Sequence, residues 1–135
     1  MRRAALACLA LLSLLLAPAL PAASTAPQKL TGTYLWEQAN HQGTLEAEFK
    51  PAGELHWEVS FHFTFNGSPI TYTGTADGHL DNGTLEGRAS AGGRQRTFVF
   101  RGEFRDGKFS GTHAEVRRGG DEEPTGTLTL NVSTG

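Results

Sequence analysis

Cysteine is almost absent from this chain. Its one copy, Cys8, lies in an apolar N-terminal run, so the rest of the chain has no thiol and no means of forming a disulfide. Long apolar runs are scarce too. The only one, residues 4–17, is shorter than the roughly 20 residues a membrane-spanning helix needs. Positive charge is short as well. Without Arg2 and Arg3, ten basic residues face fourteen acidic ones, a net charge of −4. Nucleic-acid binding calls for the opposite balance. The chain also lacks a serine in a nucleophile elbow, a phosphate-cradling glycine loop ahead of a helix, and any zinc or calcium ligand spacing. These absences predict a protein that is not an enzyme and uses no metal or cofactor.

Arg2 and Arg3, the apolar run behind them and the small residues and prolines that follow form the pattern of a secretory signal peptide. We assign it to residues 1–25 and a single domain to 26–135. The protein is then exported, periplasmic or extracellular, and its Ala/Leu/Arg-rich leader and lack of disulfides suit a bacterial envelope.

From Leu30 onward no segment has a helical period; alternation takes its place. In Glu54–Phe65, ELHWEVSFHFTF, the residues Leu55, Trp57, Val59, Phe61, Phe63 and Phe65 alternate with polar ones, a strand with one buried and one wet face. The same reading gives about eight strands, at 30–38, 43–50, 54–65, 68–80, 84–91, 95–105, 108–117 and 125–132. Asn66-Gly67, Asn82-Gly83 and Asp106-Gly107 are preferred two-residue hairpin turns, and Pro51-Ala52-Gly53 suits a three-residue turn. These turns imply registers. Asn66-Gly67 sets Phe63 against Ile70 and Phe61 against Tyr72. Asp106-Gly107 sets Phe104 against Phe109, Phe100 against His113 and Phe98 against Glu115. Asn82-Gly83 sets Leu80 against Leu85 and His79 against Glu86, and the turn at 51–53 sets Phe49 against Leu55 and Glu46 against Glu58. All four place the apolar residues on one face. That face also carries many glycines, which mark strong bending within strands. The predicted fold is all-β, an antiparallel up-and-down meander closing into a roughly eight-stranded small barrel.

Leu30-Thr31-Gly32-Thr33-Tyr34 resembles the opening of the first strand in calycin barrels, the lipocalin and avidin type, where a glycine, one residue and usually a tryptophan stand in order. The resemblance implies the barrel architecture. It departs at Tyr34, in the absence of Arg or Lys from 125–132, and in having only Trp36 and Trp57 where avidin-type sites use several tryptophans. It therefore implies no particular ligand.

The candidate ligand-binding residues are the inward aromatics Tyr34, Trp36, Trp57, Tyr72 and Phe100, with His113 and Glu115 as polar groups on the same face. A buried carboxylate needs a partner or a wet cavity. His113 and Glu115 are therefore either anchors for a small ligand or, respectively, a satisfied core histidine and a rim residue. His56 and His62 stand too far apart on one strand to share a metal. Three readings follow: a barrel holding a small apolar or amphipathic ligand, a solid-core structural or interaction module, and an outer-membrane barrel with its faces exchanged. Short turns at both ends and brief strands argue against membrane insertion.

Overall fold

A computed structural model describes residues 26–92 and 96–133; the expected leader lies outside the described residues. The strands are β1 (Gln28–Trp36), β2 (His41–Gly53), β3 (His56–Phe65), β4 (Ser68–Gly78), β5 (Gly83–Ser90), β6 (Thr97–Arg105), β7 (Lys108–Val116) and β8 (Glu122–Val132). Each pairs antiparallel with the next, and β8 returns to β1, closing an eight-stranded up-and-down barrel. A three-residue 3₁₀ turn, Glu37–Ala39, links β1 to β2. The connections at 37–40, 66–67 and 117–121, the end of β5 and the start of β6 share one end, the mouth. The remaining hairpins and the described termini form the base.

Two hairpins have the registers their turns dictate. Phe63 pairs with Ile70 and Phe61 with Tyr72 across β3–β4, and Phe104 with Phe109 and Phe100 with His113 across β6–β7. Asn66 and Gly67 take φ of 50° and 77°, and Asp106 and Gly107 take 51° and 76°. Both residues of each turn are thus left-handed, as the right-handed twist of hairpin strands favours.

The other two predicted hairpins are corrected. The β2–β3 turn lies at Glu54-Leu55, so Phe49 faces Val59 and not Leu55, Glu46 faces His62, and Glu58 faces Lys50. Leu55 sits in the turn at φ 52°, exposed. Across β4–β5, Gly78 pairs with Leu85 and Asp77 with Glu86, while His79 stands in the loop with Nδ1 3.6 Å from Asp81. Both corrections slide a partner by an even number of residues. An even slide keeps every side chain on its own face, so the alternation could not distinguish these registers.

The inward face is apolar. Leu30, Phe49, Val59, Leu85, Phe104, Phe109 and Leu130 are fully buried and pack the base solid. Outward positions are mostly threonine and charged residues; Leu55 and Val132, both at the base, are the exposed large hydrophobics among the described residues. A barrel in lipid has these two faces exchanged. Small residues let the walls curve inward. A Cβ on Gly74 would stand 1.7 Å from the Arg88 carbonyl oxygen on the neighbouring strand, so only glycine admits that approach. Gly74→Ala is expected to destabilise the barrel by about 3 kcal/mol in thermal or chemical melts, as forced overpacking does. Gly92→Ala, whose Cβ would meet nothing within 4 Å, should melt like the wild type.

Candidate functional site

Packing changes character toward the mouth. Tyr34, Phe63, Ile70 and Phe98 are only partly buried there, against the closed base. Between them lies an apolar cavity of about 140 Å³. Tyr34, Trp36, Phe63, Tyr72, Phe98, Phe100 and His113 line it together with Leu45, Phe61, Phe65, Ile70, Ala89, Leu128 and Arg96.

The lining is a connected set of rings. Tyr34 tilts on Phe63 (centroids 5.2 Å), Phe63 stacks on Tyr72 at 5.8 Å, Tyr72 meets Phe98 edge-on at 5.5 Å, and Phe98 meets His113 edge-on at 6.1 Å. These separations and tilts are the ones ring quadrupoles favour. A second series, Phe61–Phe100–Phe109–Phe104, carries the contacts down to the base. The collar is therefore braced from below, and the cavity is part of the fold.

Five of the seven sequence-predicted residues meet at this cavity: Tyr34, Trp36, Tyr72, Phe100 and His113. Trp57 stands away from it, its indole N–H donating to the Gly78 carbonyl at 2.9 Å toward the base. Glu115 does not line it either. It is half-buried, with a carboxylate oxygen 3.9 Å from Arg117. Arg96 was not foreseen. It follows the 91–95 connection in the chain, where no sequence pattern distinguishes a lining arginine from a solvated one.

The polar atoms fall into two kinds, satisfied and unanswered. The Tyr34 hydroxyl shares a 3.1 Å hydrogen bond with His41 Nε2, and burial raises its pKa, so it stays a phenol. His113 has both ring nitrogens engaged. Nε2 lies 2.9 Å from the Leu35 carbonyl, which can only accept, so Nε2 carries the proton. In the neutral ring Nδ1 is an acceptor, 2.5 Å from the Thr125 hydroxyl, whose single proton also has the His113 carbonyl as an acceptor at 3.1 Å. Thr125 reaches this position through a β-bulge: His113 pairs with Gly126 and Ala114 with Pro124, leaving Thr125 as the extra, fully buried residue. Gly126 is required alongside, since a Cβ there would lie 1.8 Å from the Leu35 oxygen. The Trp36 Nε1 atom, by contrast, is buried with no hydrogen-bond partner among the described residues. The Arg96 guanidinium stands 5.5 Å above the Trp36 ring, a cation–π contact.

Both nitrogens of the one histidine lining the cavity are committed to the fold. Among the described residues no group of three His, Cys, Asp or Glu side chains is placed to hold a metal. No protein-family model matches the chain, and no curated protein compared with it is significantly similar.

Desolvation pushes the His113 ring below its ordinary pKa, against an opposing bond from Leu35. The unfolded chain takes up this proton below about pH 6.5 while the native ring stays neutral, so stability falls as pH drops through that value. His113→Gln should lose about 1–3 kcal/mol at pH 7 through the lost bond from Nε2 to the Leu35 carbonyl. Chemical melts at pH 7 and 5.5 should also show a smaller pH-dependent loss in the variant than in the wild type.

Proposed function

We propose that this protein is an exported small β-barrel that takes one small apolar or amphipathic molecule into its mouth-end cavity. The export part of this reading rests on the basic, apolar and small-residue order of positions 1–25. The binding part is carried by the apolar, aromatic-lined cavity of about 140 Å³ in a barrel whose other end is packed solid. Ligand sites are concave, mostly apolar and largely pre-formed, with few polar groups; this one has that composition. The calycin-like opening of β1 agrees with the closed barrel and adds nothing about the ligand. In this reading the protein is a binding module, not an enzyme.

Trp36 lines the cavity and Trp57 does not, so a Trp57→Phe background reports the site through Trp36 alone. Toluene titrated into that variant should shift or quench Trp36 emission saturably. Ala89→Leu places three more carbons into the cavity from a buried wall position, and should abolish the response while the fold melts within about 1–3 kcal/mol of its parent. An unresponsive Trp36 in the parent would instead favour the solid-core reading, with function on the outer face.

A further inference from the structure

We propose that the molecule held in this cavity is a small monocarboxylate. Its apolar part would be one six-membered ring or a short alkyl chain, and its carboxylate would sit at the mouth against Arg96. This rests on the ligand-binding reading above and adds the chemical class.

Size comes first. A dry cavity of about 150 Å³ lined by Leu, Ile and Phe accommodates benzene, and the cavity here is about 140 Å³ with walls of the same kind. One ring fills it, and a polycyclic or macrocyclic molecule does not fit inside.

The unanswered polar atoms set the charge. Trp36 Nε1 is buried without a partner among the described residues, and an indole N–H can only donate. Arg96, over the same indole, is a second donor-only group. Among the described residues it forms no ion pair, whereas Arg101 holds Glu122 and Glu86, Arg105 holds Glu103, and Arg117 engages Glu115 and Glu123. The acids of β7 and β8 nearest the mouth are therefore already engaged, and Glu37, adjacent to Trp36 in the chain, is exposed and does not pair with Arg96. A donor-only cation lining an apolar cavity calls for an acceptor bearing negative charge on an apolar body. A carboxylate matches the planar guanidinium fork. A hydrocarbon leaves Arg96 unanswered, and an amine meets a like charge.

Three probes sharing one ring separate these cases: phenylacetate, 2-phenylethanol and 2-phenylethylamine, titrated calorimetrically into the purified protein at neutral pH. Phenylacetate should bind about tenfold or more tightly than the alcohol, the margin of a charge-assisted hydrogen bond, and its affinity should fall with added salt. The amine should give no detectable heat. Arg96→Gln should bring phenylacetate down to the affinity of the alcohol and leave the alcohol unchanged. Equal binding of acid and alcohol by the wild type, or an acid preference that survives Arg96→Gln, would overturn the carboxylate assignment while the cavity reading stands. Failure of all three probes to bind would sink both.

Discussion

The β1–β8 seam is the constraint on which the rest of this molecule depends. Leu30 through Trp36 pair with Val132 through Gly126, joining the first and last strands. Without that ladder both strands would be open edges with unpaired backbone groups. With it, the inward face of every strand is enclosed, and the alternation that begins in the sequence becomes a core. The seam also fixes the mouth. Its last pair, Trp36 with Gly126, brings the Leu35 carbonyl against His113, and the extra residue Thr125 supplies the other half of that clamp.

Much of this was legible in the sequence. The alternation gave the all-β class and the inward face, and the two Asx-Gly turns at 66–67 and 106–107 gave registers correct to the residue, since left-handed turn pairs leave little freedom. The slid hairpins show where such reasoning ends. Pro51-Ala52-Gly53 is a turn-like triplet, yet β2 runs through it and Leu55 takes the left-handed turn position. Which residues are inside survived the slip; which neighbours they touch did not. The bulge at Thr125 had one available signal, because Pro124 cannot donate to a ladder and so marks an irregularity in a strand. Arg96 had none. Its role depends on standing over a tryptophan from the opposite end of the chain, which only closure brings near.

The two ends of the barrel divide the work. At the base, phenylalanines and leucines are buried without exposure. At the mouth the same inward face carries larger, partly exposed rings that contact one another around a space. In the proposed reading, stability and recognition draw on one pattern of alternation, separated along the barrel axis. His113 belongs to stability: it is polar and faces inward, yet both its nitrogens tie the seam together. In the proposed reading, recognition falls to Arg96, which the fold leaves without an ion pair among the described residues.

The central claim is that the mouth-end space is a standing apolar cavity, and xenon tests it most directly, because apolar cavities of this size take up the gas. A crystal of the protein pressurised with xenon is predicted to show a xenon atom in the cavity lined by Phe63, Tyr72 and Phe98, with the surrounding rings unmoved. A mouth filled by collapsed side chains, with no xenon bound, would contradict the account.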